Sequence, residues 1–311
     1  MSQVAANPAP GARDAISRAA RRRPSAVLIE FGLLLAAVSS ILITAGIVYV
    51  LFSESIPFFR AVPLWEFLTD SQWTPLFDDK HFGILPLVCG TLTTTGIALL
   101  VALPLGTIIA IWLSDFARPG IRETVKPILE LLSAVPTVVF GYFAIQFVSP
   151  ALGRIIPDLP LFNVLAAGIV MGIMIVPYIS SLSEDAMRAV PMLLREGSYG
   201  MGANRLTTAI RVVFPASLSG VGAAYTLAIS RAVGETMIVA IAAGMQPTLT
   251  LDPTSQAQTV TAYIVQVSMG DLPHGSLEYQ TIFAAGLTLF VMTLGFNLLS
   301  VALRRRFRQV Y

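Results

Sequence analysis

Residues 195–215, REGSYGMGANRLTTAIRVVFP, form the one long polar interruption in the second half of an otherwise mostly apolar chain. Pro191 and Met192 open a short helical run. Gly197, Gly200 and Gly202 stop it, because glycine takes up backbone angles that other residues avoid. Asn204 then stands where a second helix needs an N-cap. In that helix Leu206, Ile210 and Val213 recur at i, i+4 and i+7 and make one apolar stripe, with Arg205, Thr208 and Arg211 off it. Pro215 ends the piece or kinks it into the next apolar run. A short amphipathic helix with no core of its own has two uses: it can lie in a groove on a partner protein, or rest on lipid headgroups. Periodicity alone leaves both open.

Outward from this loop the composition is that of a membrane. Of 311 residues, 55% are hydrophobic and 12% charged. A soluble domain averages about 25% charged, so an all-α polytopic membrane protein is expected. The mean hydropathy is +0.75. Six apolar stretches come close to or exceed the roughly 20 residues that span hydrocarbon. They are 27–52, 83–114 (interrupted by Pro104), 130–148 (around Pro136), 161–182 (around Pro177), 216–245 and 279–303. Residues 1–24 are polar and basic, with Arg21, Arg22 and Arg23 against the first apolar run. They lack the cleavage pattern of a signal peptide and read as an uncleaved tail. With that tail inside, the inner segments hold sixteen lysines and arginines and the outer ones three. This places both termini and the 195–215 loop in the cytosol. The chain divides into three regions: the tail 1–24, the first span with its outer segment 25–82, and a core 83–311 carrying the loop 184–215.

The outer segments carry little chemistry. Trp65 and Trp73, in an acidic stretch with Glu54, Glu66, Asp70, Asp78 and Asp79, suit interfacial aromatics or packing on an outer partner. Residues 246–278 leave room for one short helix around 260–269. His81 and His274 lie in separate outer segments, so no metal pair is expected, and Cys89 alone makes no intrachain disulfide. No catalytic constellation and no G-x-x-x-x-G-K-[ST] phosphate loop is present, so the chain is expected to hydrolyse nothing itself. An intramembrane enzyme is disfavoured, and no nucleic-acid partner is expected.

The charges at membrane depth are different. Arg231 and Glu235 stand four apart in SRAVGETM, inside the fifth span, and on a continuous helix would share a face. A charge in hydrocarbon costs several kcal/mol and normally faces a bundle interior or a water-filled path. The pair is either a cationic station for an anion, with Glu235 setting how strongly Arg231 holds it, or an ion pair that fixes helix packing. Ser230 and Thr236 flank the pair and Thr137 adds a hydroxyl on the third span. Thr91, Thr93, Thr94 and Thr95 on the second span suit either substrate contact or helix packing.

Glu196, Gly202 and then Val212, Val213, Phe214 and Pro215 resemble the EAA loop of ABC importer permeases, whose pattern is E-A-A, then G, then I-x-L-P. Gly197 and Ser198 replace alanines, Val212 an isoleucine and Phe214 a leucine. LLSAVPTVVFGYFA (131–144), SEDAMRAVP (183–191) and SRAVGETM (230–237) narrow the resemblance to the permease subunits of the phosphate-specific importer, PstC type. It covers roughly residues 83–306. It implies a MetI-like permease fold with six spans in the inner membrane of a prokaryote, and an inorganic phosphate path at Arg231, Glu235, Ser230, Thr236 and Thr137. It also implies a coupling loop, at Glu196, Gly202, Asn204, Leu206, Ile210 and Pro215, docked on a separate ATPase. The implied partners are a PstA-type permease, two PstB-type ATPases holding ATP and Mg, a PstS-type extracytoplasmic phosphate-binding protein and membrane lipid; no cofactor is implied for this chain. Sulfate, molybdate or a phosphonate would suit the same architecture, and an ion-driven transporter is a more distant alternative.

Overall fold

A computed structural model of the chain describes residues 24–306. The basic tail expected over 1–24 lies, but for Pro24, outside them. Two compact units divide the chain, Met1–Ser53 and Glu54–Tyr311. All regular structure among the described residues is helical, apart from a single bridge between Trp73 and Phe82.

The first helix, α1, runs Pro24–Ala61. Within the first unit its apolar side chains point outward on all sides, Leu28, Leu34, Ile41 and Ile47 among them. A helix apolar all round is one made for lipid or for other helices.

In the second unit, a short α2 (Leu64–Thr69) precedes α3 (Leu85–Ile111), which runs past Pro104 and closes in a π-helical turn, Trp112–Phe116. Next come α4 (Pro119–Ser133), α5 (Thr137–Phe143), a second π-helical turn (Ala144–Val148) and α6 (Ser149–Gly153). α7 (Val164–Arg188) carries Pro177 without breaking. The polar loop holds α8 (Met192–Gly200), α9 (Arg205–Thr208), a third π-helical turn (Ala209–Val213) and α10 (Phe214–Ala216). α11 (Leu218–Val233), α12 (Met237–Ala242), α13 (Val260–Ser268) and α14 (Leu277–Arg306) complete the chain.

Among the described residues four helices are long and apolar enough to cross a membrane: Leu28–Ala61, Leu85–Phe116, Val164–Arg188 and Leu277–Ala302. Counting each of two bent pairs as one crossing gives six: Pro119–Ser133 with Thr137–Gly153, bent by 87°, and Arg205–Ala216 with Leu218–Val233, bent by 73°.

Two expected spans are therefore not single helices. The stretch 130–148 breaks at Ala134–Pro136 because Pro136 lacks an N–H and pushes Val135 out of the helical region. The stretch 216–245 stops at Val233 and restarts at Met237.

The central packing is α3 on α7, and glycine permits it. A Cβ on Gly172 would lie 2.8 Å from the Ala98 carbonyl oxygen and 2.8 Å from Val101 Cβ. One on Gly168 would lie 2.7 Å from Ile97 Cβ. Gly106 returns the contact against Ile179 Cβ, at 2.7 Å. The contacts advance along both helices together, so α3 and α7 run parallel. Close approach through small residues is how helices gain dispersion energy where lipid competes on equal terms. Around them Met171, Met174, Ile175, Ile179 and Ile238 form the main core.

A second core caps one end. Phe58, Phe67, Trp73, Phe82 and Tyr263 meet edge to face, Trp73 on Tyr263 at 5.0 Å between ring centroids. Trp73 is 1% exposed and packs inward, so of the two expected interfacial tryptophans only Trp65 is outside.

Beside this core His81 Nδ1 lies 3.0 Å from Asp70 Oδ2, and the hairpin is closed by Thr74, whose N–H donates to the His81 carbonyl. The Asp70 hydrogen bond raises the imidazole pKa above its ordinary 6.5; desolvation opposes it more weakly, and Asp79 adds in the same direction. A folded-state pKa above the unfolded one makes the pair stabilising below about 6.5, and that contribution is lost as pH rises through the folded value. His81→Gln should therefore lower the melting temperature at about pH 5.5 and leave it unchanged at about pH 8.5. An equal drop at both would show that charge has no part in it.

Candidate substrate path and coupling loop

The charged stretch of the fifth span sits at a break, not on a helix face. α11 ends at Val233 with Gly234 as its C-cap, and α12 begins at Met237. The expected one-face pairing of Arg231 with Glu235 therefore does not form, and no ion pair joins them among the described residues.

Glu235 is 8% exposed, and its Oε1 accepts from the backbone N–H of Met237 at 3.1 Å and of Ile238 at 3.4 Å. It caps α12, where a carboxylate satisfies otherwise orphaned donors and meets the positive end of the helix. Thr261 Oγ1, on α13, donates to the Glu235 carbonyl at 2.6 Å, and Thr236 Oγ1 donates to the Gly234 carbonyl at 3.2 Å. Every bond here tightens the break.

Arg231 takes a different partner. Its guanidinium carbon lies 4.3 Å from the centroid of the Tyr178 ring on α7, and its Nε is buried without a hydrogen bond. A cation held on an aromatic face keeps its charge and most of its donors. Such a group can receive an oxyanion in a fork.

Ser230 is occupied: its Oγ donates to Asn297 Oδ1 on α14 at 2.9 Å. Asn297 was not anticipated; the signal was a lone amide in the apolar run LGFNLLS. Thr137 opens α5, which packs on α12 where a Cβ on Gly141 would meet Ile241 at 3.0 Å.

A narrow crevice with no room for a water molecule adjoins the break, lined by Thr91, Thr94, Thr95, Glu235, Thr259 and Thr261 among others. Thr91 and Thr94 donate back to Leu87 and Gly90 carbonyls, and Thr91 also accepts from Val260 N–H at 3.0 Å. These two hold packing together. The hydroxyls of Thr93 and Thr95 are buried without partners.

The polar loop is built as a unit. Asn204 caps α9, accepting from Thr207 N–H at 2.8 Å, and Gly202 turns the chain with φ +84°. Ser198 Oγ and Thr208 Oγ1 share a hydrogen bond of 2.8 Å that joins α8 to α9. Pro215 lies in α10, ahead of the bend at Ser217. The expected stripe of Leu206, Ile210 and Val213 divides: Leu206 and Ile210 are exposed while Val213 is fully buried with Ala110, Met187, Val190 and Val221. The reason is the π-helical turn 209–213, whose wider winding rotates Val213 off the stripe. Glu196 is exposed, as are Met192, Leu193 and Met201, and so are Arg205 and Arg211, so the exposed side of the loop mixes apolar side chains with one acid and two arginines.

Several other charges of this end are paired. Lys126 of α4 reaches buried Glu184 at 2.8 Å and Asp185 at 2.5 Å on α7. Arg195 is paired with Asp115. Among the described residues no cluster of His, Cys, Asp and Glu could hold a metal ion.

Residues 102–309 match the family model for the binding-protein-dependent transport system inner membrane component. The chain is 36% identical over 234 residues, 75% of each chain, to the probable ABC transporter permease protein YqgH of Bacillus subtilis. It is 32% identical over 260 residues to the phosphate transport system permease protein PstC of Mesorhizobium japonicum, covering 76% of this chain and 77% of that one.

Among solved structures it resembles a chain of a bacterial alginate ABC transporter in complex with an alginate pentasaccharide-bound periplasmic protein. The TM-score is 0.62 at 18% identity, covering 92% of this chain and 98% of that one. The inward-facing MetNI methionine ABC transporter gives a TM-score of 0.55 at 18% identity, covering 73% and 95%. With four to six apolar crossings and these matches in hand, the chain belongs to the binding-protein-dependent transport system inner membrane component family and is an ABC importer permease of MetI-like fold.

Proposed function

We propose that this permease carries inorganic phosphate, and that the anion passes the break in the fifth span at Arg231. The observation that carries the reading is the Arg231 guanidinium: at membrane depth, stacked on Tyr178 and without a carboxylate partner. A tetrahedral oxyanion is the ligand such a fork fits. The relatives named PstC support phosphate over other oxyanions.

In this reading Glu235 holds the break open by capping α12, which leaves Arg231 its full charge. The path is shared with a PstA-type permease, and a PstS-type binding protein delivers the anion from outside. Two PstB-type ATPases bind ATP and Mg and dock on the exposed side of the loop, at Glu196, Leu206 and Ile210. Both termini lie on the cytosolic side with that loop. The chain itself catalyses nothing and binds no cofactor.

The test is uptake of labelled phosphate by the assembled transporter in proteoliposomes, with sulfate, molybdate and a phosphonate as competitors. Unlabelled phosphate should suppress uptake by about tenfold at a concentration where the other three leave it unchanged. Suppression by one of the others at lower concentration would give the cargo to that anion.

A further inference from the structure

Arg195 occupies the coupling loop, yet it is 9% exposed and points away from the docking surface. Its Nη1 donates to Asp115 Oδ1, and its Nη2 donates to the Met187 carbonyl at 2.9 Å, with Ser114 Oγ at 3.5 Å. One guanidinium thus joins three elements: α8, the end of α7 and the π-helical turn that closes α3. The Asp115 side chain is 2% exposed and its Oδ2 is buried without a partner. Among the described residues this is the only ion pair between the segment 192–215 and another element.

Its position matters because the other ties of the loop are of different kinds. α8 follows α7 through the turn Ala189–Pro191, so the chain itself makes the loop move with α7. Toward α3 the loop otherwise has apolar contacts in the cluster of Ala110, Met187, Val190, Val213 and Val221. Apolar surfaces slide over one another at little cost. A desolvated guanidinium–carboxylate pair does not, because moving either charge away leaves the other buried and uncompensated. The helix also widens where it receives the pull, at Trp112–Phe116, and such turns recur at functional positions in helices. At its other end α3 carries Thr91, Thr94 and Thr95, which line the crevice beside Glu235.

We propose that Asp115 and Arg195 form a latch that makes α3 follow the coupling loop, so that movement imposed on the loop reaches the hydroxyl wall of the charged break. The two are positioning residues that touch no substrate. The proposal rests on the reading of the chain as an ATP-driven permease.

The experiment measures anion taken up per ATP hydrolysed by the assembled transporter in proteoliposomes. Wild type is compared with Asp115→Asn, the apolar pair Asp115→Leu with Arg195→Met, and the swapped pair Asp115→Arg with Arg195→Asp. For Asp115→Asn, ATP hydrolysis should stay within about twofold of wild type while uptake per ATP falls about tenfold. The swapped pair should recover part of the loss. Uptake and hydrolysis falling together, or an unchanged ratio, would overturn the latch. If Asp115→Asn does not assemble, the double variant Asp115→Leu with Arg195→Met decides: it removes both charges and strands neither, so a lowered ratio supports the latch and an unchanged one removes it. A wild-type complex that hydrolyses ATP but moves another oxyanion instead of phosphate counts against the cargo alone, and the ratio is then read with the anion it moves.

Discussion

Gly172→Leu should destabilise the folded permease by about 3 kcal/mol, near the upper end of what overpacking a core costs. A Cβ at this position already lies 2.8 Å from the Ala98 carbonyl oxygen, and a backbone atom cannot rotate out of the way as a side-chain tip can. The two helices would have to separate. That separation would be felt at Gly168, one turn earlier, and at Gly106 farther along α3, because all three belong to one seam. Thermal unfolding of the purified chain in detergent measures the effect. Gly96→Leu is the control: it lies on the same pair of helices with nothing within 4 Å of its Cβ position, and should change stability by less than about 1 kcal/mol. Equal losses at both positions would show that the seam does not set the cost, since leucine is the better helix former at either.

The membrane class and the place of the polar loop were legible in the sequence because both rest on composition, which needs no knowledge of neighbours. The Asn204 cap was legible for a similar reason: a cap is decided within four residues. The bend at Pro136 could be read from the proline, but the break in the fifth span could not. SRAVGETM reads as helix by hydropathy, yet Gly234 terminates α11 while the Glu235 side chain finds the N–H groups of Met237 and Ile238. The local signal was Gly followed by Glu and Thr, a stop followed by a start. What holds the break is Thr261, twenty-six residues away, and no local pattern reveals that.

The loop stripe failed for another reason. A helical wheel assumes a constant winding, and one π-helical turn sends Val213 into the core while Leu206 and Ile210 stay out. Trp73 and Asp115 were lost to long-range packing. Each lies at the edge of an apolar run where solvent was the simplest neighbour, and each is covered by residues far along the chain, Tyr263 and Arg195.

The second large effect is expected at Arg231. Its guanidinium lies on the face of Tyr178, and its Nε is buried without a hydrogen-bond partner. Glutamine keeps a polar side chain of related length but removes the charge and the fork. Losing a charged contact to an anion at a half-buried site is worth about 3 kcal/mol, or roughly a hundredfold in transport at limiting substrate. Lysine, which keeps the charge as a point and loses the planar fork, should fall between. Because Arg231 makes no ion pair with Glu235, removing it strands no carboxylate, and assembly should survive the substitution.

The most direct measurement is therefore labelled phosphate uptake by the assembled transporter carrying Arg231→Gln, beside wild type, with ATP hydrolysis followed in the same vesicles. The expected result is an intact complex that still hydrolyses ATP at a rate within about twofold of wild type while phosphate uptake falls about a hundredfold. Phosphate uptake at the wild-type rate would contradict it, and so would a complex that no longer assembles, which would make Arg231 a residue of packing and not of the path.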